Sequence, residues 1–205
     1  MSASPQDHPD WDRLYEIAAT QEGFFTTKQA GEAGYSAQLL IHHVRKRRIE
    51  RTQRGIYRLV HFPAAEHEDL VVAWLWSEQV GVISHQTALA LHGLSDVLPA
   101  HVHLTLPVDW KHRRFRVPAD IVLHYANVPS DDRSWFGAVP TTSPKRAIID
   151  CALEGLSPEL LRQAVVQALS RGLVTQSELA RFAEVREALE PFGGIPDAIA
   201  RVFVA

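Results

Sequence analysis

The sequence predicts an α+β fold in two parts, a small N-terminal domain and a larger mixed domain with a helical last third. Within residues 26–59 the apolar side chains change from helical spacing to strand-like alternation around a glycine-containing turn. The last third instead carries repeated helix-start signals. The 205 residues suffice for two modest cores, and 46% hydrophobic with 22% charged residues is ordinary for a globular protein.

The first helix is predicted to begin at Asp10, because Trp11, Leu14 and Ile17 then recur at helical spacing and form one buried face. Gly23 ends this segment, and the two phenylalanines that follow are expected to fill the core of the small domain.

A second, short helix is predicted from the T-x-x-Q pattern of Thr26 and Gln29, which forms a capping box. Gly34 makes the turn after it, and Ser36 is a good N-cap for a third helix. Two strands are then expected around the Arg54-Gly55 turn, at residues 50–53 and 56–60. Three helices followed by a hairpin are the order of a winged helix-turn-helix domain.

The charge of residues 26–59 is strongly one-sided. Eight cationic residues oppose Glu32 and Glu50, which gives 8 − 2 = +6, whereas the chain as a whole carries −3. A basic block on a helix-turn-helix pattern within an acidic protein is typical of a DNA-binding surface. The alternative is a basic, solvated surface that contacts another protein or nothing.

The third helix is predicted to enter the major groove, with the hairpin gripping the DNA backbone or the minor groove. Its outer face combines polar and cationic side chains, and glutamine and arginine can bond adenine and guanine edges respectively. The predicted DNA-contacting residues are Lys28, Ala37, Gln38, Ile41, His42, Arg45, Lys46, Arg48, Arg51, Arg54 and Arg58.

The second domain is predicted to begin after a linker at residues 61–65. Its first part should contain a helix, a short strand and a second helix capped by Ser84 and closed by Gly93. The expected segments are 66–79 and 84–92 for helices, and 80–83, 101–106, 115–117 and 121–125 for strands.

Three capped helices are predicted in the last third. Ser143-Pro144 and Ser157-Pro158 each place an N-cap before a proline that is suited to the first helical position. Thr175 and Glu178 form a further capping box, opening a helix expected to run to about Glu190. A Gly-Gly break and a short terminal helix should complete the chain.

Three segments resemble the AbiEi family of antitoxins from type IV toxin–antitoxin systems. These are RGIYRL at 54–59, SHQTALALHGLSD at 84–96 and TTSPKRAIID at 141–150. The similarity covers about residues 10–180 and departs from the family pattern by Thr87 in place of serine and Ala147 in place of threonine.

The resemblance implies two domains with different roles. Residues 10–62 would be a DNA-binding domain that represses the protein's own operon, and residues 66–205 an interaction domain that opposes a nucleotidyltransferase-like toxin. The implied partners are operator DNA, with inverted repeats, and that toxin. The chain shows no coiled-coil heptads, so we expect a monomer or a weak, DNA-assisted dimer. An alternative is a toxin-binding module without sequence-specific DNA binding.

Two residue pairs of the second domain are interpreted as structural or partner-facing. His85 and His92 are two helical turns apart on one helix, and Arg146 and Asp150 have the i,i+4 spacing of an ion pair. A capped helix and an arginine–aspartate pair more often stabilise a domain than take part in catalysis.

We expect no enzyme activity, no metal and no cofactor. His101, His103 and His124 lie on predicted strands, but no carboxylate or cysteine accompanies them at a recognised ligand spacing. A metal-dependent nuclease is the remaining enzymatic alternative, resting on Asp109-Trp110-Lys111.

A cytoplasmic location is expected. Cys151 is the single cysteine, the N-terminus is polar and acidic, and the longest apolar run, residues 70–76, is far shorter than the ~20 residues of a membrane helix.

Overall fold

A computed structural model describes residues 8–196 of the chain. The chain forms two compact units that divide between Gln79 and Val80. The predicted linker, at 61–65, lies before this division. The difference arises because the helix after the linker packs on the sheet of the N-terminal unit and so belongs to that unit. The ranges 10–62 and 66–205 stay a prediction for the functional domains.

The N-terminal unit is a winged helix-turn-helix, which with the mixed second unit confirms the predicted α+β fold. Its sheet is antiparallel in the order β1-β3-β2, and the helix after the hairpin packs on β1 and β3. The elements are α1 Trp11–Ala19, β1 Phe24–Thr26, α2 Thr27–Glu32, α3 Ala37–Arg45, β2 Ile49–Gln53, β3 Ile56–Leu59 and α4 Glu68–Trp76.

The predicted caps at Thr26 and Ser36 are formed, and Asp10, the predicted start of the first helix, is also an N-cap. The side chains of Asp10, Thr26 and Ser36 each accept the backbone N–H three residues later, at 3.0, 3.2 and 3.2 Å. Gln29 completes the capping box, because its Oε1 accepts the backbone N–H of Thr26 at 2.9 Å. These bonds satisfy helix-start donors that would otherwise have no partner.

The two phenylalanines after Gly23 form a strand, β1, that the sequence pattern did not predict. Phe24 and Phe25 pair with Arg58 and Tyr57 of β3 and are both fully buried. Because neighbouring strand residues point to opposite faces, the two rings fill both sides of the sheet. The helical side forms one core, made of Leu14, Ala18, Phe25, Ala30, Ala33, Tyr35, Leu40, Ile49 and Leu59.

The second unit contains a five-stranded mixed sheet in the order β6-β5-β4-β8-β7. β5 and β6 run parallel, as do β4 and β8, whereas β4 with β5 and β7 with β8 are antiparallel. The elements are β4 Val82–Ile83, α5 His85–Leu91, β5 Val102–Leu106, β6 Ile121–Tyr125, β7 Arg133–Phe136, β8 Val139–Thr142, α6 Pro144–Leu153, α7 Pro158–Ser170, α8 Gln176–Leu179 and α9 Ala183–Leu189.

Four details of the second unit differ from the prediction. Residues 115–117 form a loop, in which Phe115 packs against Trp110 at 5.9 Å instead of extending along a strand. The hairpin β7–β8 was not predicted. The helix expected up to Glu190 is two short helices, α8 and α9, which both pack on α6. Ser84 precedes α5 without making a side-chain cap bond.

The predicted short terminal helix lies outside the described residues. Among the helices of residues 8–196, none is long and apolar enough to cross a membrane.

Candidate nucleic-acid interface

The turn between α2 and α3 is fixed by a glycine. Gly34 has φ +82°, and a Cβ on it would lie 2.8 Å from the carbonyl oxygen of His8. The backbone N–H of Tyr35 bonds the carbonyl of Ala30 at 2.9 Å, which closes the end of α2. This turn therefore fixes the direction in which α3 leaves α2.

The outer face of α3 is available to a ligand. Leu40 is fully buried on the inner face, whereas Ile41 leaves 51% of its surface exposed. The exposed residues of α3 are Ala37, Gln38, Ile41, His42 and Arg45. The two faces are those that the helical spacing predicted.

His43 belongs to the inner side of α3. Its ring stacks on Trp11 at 5.6 Å and meets Tyr35 edge-on at 5.5 Å. Burial, with smaller contributions from the neighbouring Arg48 and His42, lowers the pKa of His43. The imidazole is therefore neutral near pH 7, and its role is to pack against these two aromatic rings.

The tip of the β2–β3 hairpin is bonded to the start of α2. Both the backbone N–H and the hydroxyl of Thr27 donate to the carbonyl of Gly55, at 2.9 and 3.3 Å. Lys28 and Arg54 are the chain neighbours of these two bonded residues. The bonds hold the two cations at the same end of the unit.

Arg58 requires a correction, because its guanidinium does not face solvent. The side chain is only 10% exposed and lies 2.8 Å from Oε1 of Glu68. It also donates to the carbonyls of Phe62 and Pro63, at 3.1 and 3.2 Å. Arg58 lies on the sheet face that α4 covers, so we remove it from the predicted DNA contacts.

The remaining cations among the predicted DNA contacts are exposed side chains. Within residues 8–196 none of them forms an ion pair. Arg45, Lys46 and Arg48, which end α3 or follow it, also interact favourably with the negative end of its helix dipole. The exposed set is Lys28, Arg45, Lys46, Arg48, Arg51 and Arg54. We call this set, together with the exposed residues of α3, the cationic face.

Three of the four residues singled out in the second unit, His92, Arg146 and Asp150, lie outside the histidine cluster and make internal bonds. Nε2 of His92 lies 2.7 Å from the carbonyl oxygen of Thr142, and burial lowers its pKa. Nε of Arg146 donates to Oδ1 of Asp150 at 2.7 Å, as the i,i+4 spacing predicted. Burial raises the pKa of Asp150, although the bond to Arg146 opposes this shift.

The fourth residue, His85, is part of a histidine cluster that sequence reasoning missed. The prediction grouped His101 with His103 and His124, but His101 is exposed and precedes β5. The structure instead brings His85 against the other two, and its ring stacks on that of His124 at 3.5 Å. A non-local contact between α5 and the strands has no sequence signal beyond the presence of histidine.

The nuclease alternative gains no site from the structure. Asp109 and Lys111 lie in an exposed 3-10 turn, Val108–His112, that follows β5.

Comparison with known proteins identifies the N-terminal unit. Residues 12–60, which contain the whole helix-turn-helix and its hairpin, match the family model described as "Transcriptional regulator, AbiEi antitoxin". Over these residues the N-terminal unit is similar to the AbiEi-type regulators. The resemblance predicted from the sequence is therefore confirmed over this segment, and a transcriptional regulator family implies DNA binding.

Over most of its length the chain shares its fold with a solved structure. The RV2827C protein from Mycobacterium tuberculosis matches with a TM-score of 0.51 and 16% sequence identity, over 91% of this chain and 72% of that one. None of the curated proteins compared is significantly similar to the chain.

Proposed function

We propose that this protein is a DNA-binding antitoxin that represses its own operon and opposes a nucleotidyltransferase-type toxin of a type IV system. The observation that carries the proposal is the cationic face, which lies on an AbiEi-type domain and has no ion-pairing partner within residues 8–196. The protein is not an enzyme in this account and acts in the cytoplasm, where its operator lies.

The third helix, α3, reads the major groove. Ala37, Gln38, Ile41 and His42 face base edges, because the first turns of such a helix approach the bases most closely. Gln38 suits adenine, and the half-exposed apolar side chain of Ile41 suits the methyl group of thymine.

The remaining cations hold the protein on the duplex. Arg45 and Lys46, at the end of α3, reach a base edge or a phosphate. Lys28 and Arg54 are positioned together by the Thr27–Gly55 bonds, so they grip the backbone as a pair beside the hairpin. Arg48 and Arg51 add phosphate contacts, which supply affinity without sequence information.

Two copies bind one operator as a DNA-assisted pair on inverted repeats, because a single helix reads only a short half-site. The second unit supplies the toxin-facing surface, and its internal bonds at His92, Arg146 and Asp150 keep that surface in shape.

A promoter reporter tests repression. The DNA upstream of the operon drives the reporter, and wild-type protein is expected to silence it. Arg54→Ala removes one exposed cation of the hairpin and should restore expression, while Arg186→Ala removes an exposed cation of α9 and should leave silencing intact. Equal silencing by all three proteins would refute DNA reading by the cationic face.

A growth assay tests the antitoxin role separately. The proposal requires a nucleotidyltransferase-like toxin encoded in the same operon, and wild-type protein should restore growth when the two are co-expressed. Arg54→Ala should rescue equally well, because the second unit is intact. Failure of the wild-type protein would remove the antitoxin role, whereas selective failure of Arg54→Ala would favour a toxin-binding winged helix.

A further inference from the structure

Three imidazoles from three different elements of the second unit converge on one point. His85 begins α5, His103 lies in β5 and His124 lies in β6. One nitrogen from each ring lies within 4.8 Å of the others. His103 and His124 are nearest, with Nδ1 of one 3.0 Å from Nε2 of the other. β5 and β6 are parallel neighbours in which His103 pairs with Val122 and His124 with Thr105, so the two rings lie diagonally across one face of the sheet.

Other groups orient two of the three rings from behind. Nδ1 of His85 lies 2.9 Å from the hydroxyl of Ser84, which in turn accepts the hydroxyl of Thr105 at 2.7 Å. Nδ1 of His124 lies 3.2 Å from Oε1 of Glu154. Metal-binding histidines characteristically hold their second nitrogen in this way, against a carboxylate or another oxygen.

The rings are held in the form that binds metals. Burial, strengthened by the neighbouring rings, lowers the pKa of His85 to about 3 and that of His124 to about 4. Burial also lowers the pKa of His103. All three are therefore neutral near pH 7, and the contact between His124 and Glu154 is that of a neutral imidazole with a carboxylate rather than an ion pair.

The first residue of α5 adopts an unusual backbone. His85 has φ +51°, a left-handed conformation that is rare for a residue other than glycine. Strained conformations of this kind cluster at binding sites, where the surrounding structure enforces them. In His85 this conformation accompanies an imidazole that lies against His103 and His124.

We propose that His85, His103 and His124 form a binding site for a transition-metal ion, with Zn²⁺ as the best fit, and that the Glu154 carboxylate completes it. Three imidazoles favour zinc over Mg²⁺ or Ca²⁺, which prefer oxygen ligands. Glu154 serves as the fourth ligand or as the acceptor behind His124.

Closing the site around an ion needs a small rearrangement. Zn–N bonds of about 2.0–2.1 Å in a tetrahedral site separate the ligand atoms by about 3.3 Å. The 3.0 Å spacing of His103 and His124 is near that value. The other nitrogen spacings, which reach at most 4.8 Å, shorten where they exceed it, and rotation of the His85 ring out of its stack with His124 allows this. Arg146 is a cation near His85, and its bond to Asp150 offsets that charge.

The direct test is a zinc titration of untagged, full-length, chelator-treated protein, followed by calorimetry and native mass spectrometry. We expect one Zn²⁺ per chain, and visible ligand-field absorption of a tetrahedral site when Co²⁺ replaces it. The imidazole ¹⁵N signals of His85, His103 and His124 should shift in the wild-type protein. Failure of these three signals to move at saturating zinc would overturn the proposal without any variant.

Matched variants locate the ion. His103→Gln should lower zinc affinity by at least ~100-fold, and Glu154→Gln by roughly 10–100-fold, the usual effect of losing a carboxylate behind a ligand. The control is His101→Gln, an exposed histidine two residues before His103. Unchanged affinity in His103→Gln, or equal losses in His101→Gln and His103→Gln, would contradict the assignment.

Discussion

Arg58 donates from Nη2 to Oε1 of Glu68 at 2.8 Å and so joins the central strand of the N-terminal sheet to the first turn of α4. The same carboxylate oxygen accepts the backbone N–H of Ala65 at 3.1 Å. Arg54, four residues earlier, is exposed at the hairpin tip. Two arginines of one hairpin therefore have different roles, one in stability and one in the cationic face.

Replacement of Arg58 by alanine should destabilise the N-terminal unit. The change removes the arginine donor from the Glu68 carboxylate and from two backbone carbonyls. Because Glu68 is still 31% exposed, the cost is about 1–3 kcal/mol. The free energy of unfolding can be read from urea titrations in which NMR amide signals of α1–α3 report on this unit.

Arg54→Ala is the control for that measurement. It removes an exposed arginine from the same hairpin and should change the free energy of unfolding by less than about 0.5 kcal/mol. Equal stability of the two variants would mean that the contacts of Arg58 contribute nothing to folding.

Two glycines of the N-terminal unit should respond to alanine with opposite signs. Gly23 has φ +86°, and a Cβ there would lie 2.6 Å from the ring of Phe62, whereas a Cβ on Gly31 meets nothing within 4 Å. Gly23→Ala should therefore cost about 2 kcal/mol or more. Gly31→Ala, inside α2, should stabilise by about 0.5–1 kcal/mol because it restricts the unfolded chain.

Thermal melts of the two glycine variants give the signs directly. A lower melting temperature for Gly31→Ala, or an unchanged one for Gly23→Ala, would show that the backbone of this unit differs from the one described.

Acid should weaken the second unit through the histidine cluster. The folded-state pKa values of His85 and His124 are about 3 and about 4, against 6.5 in model compounds. Between pH 6.5 and 4 these two histidines therefore bind protons in the unfolded chain but not in the folded chain. As the pH is lowered through this range, the free energy of unfolding should decrease by about 1.4 kcal/mol per pH unit for each histidine.

The carboxyl groups beside the cluster oppose part of that loss. Burial raises the pKa values of Asp150 and Glu154, so protonation of these groups favours the folded state in acid. The charge of Arg146 also lowers the pKa of His85 and so opposes its protonation. Urea titrations at pH 7, 6 and 5, followed by amide signals of β5 and β6, should show a declining midpoint that flattens in His124→Gln. A midpoint that rises toward pH 5 would contradict the neutral cluster.

Local sequence signals predicted the helices of the N-terminal unit well. The caps at Asp10, Thr26 and Ser36 depend on residues three positions apart, so a short window contains the whole interaction. β1 was not predicted, because a strand of three residues after a glycine turn is too short to show alternation. The +6 charge correctly identified a cationic surface, and the family model confirms the kind of domain that carries it.

Non-local contacts account for what the sequence did not predict. Arg58 has the same local context as its exposed neighbours, and only the packing of α4 on the sheet buries it. His85 joins His103 and His124 across residues that are far apart in the chain, whereas His101, near in sequence, stays outside. Spacing rules describe one element at a time and cannot identify either arrangement.

The salt dependence of operator binding tests the cationic face most directly. Fluorescence anisotropy of operator DNA, repeated at several salt concentrations, gives the slope of log affinity against log salt for wild type, Arg45→Ala, Arg54→Ala and the α9 control Arg186→Ala. We expect Arg54→Ala to lower the slope by about 1, Arg45→Ala to weaken binding, and Arg186→Ala to match wild type. Identical affinities and slopes for all four proteins would contradict the account.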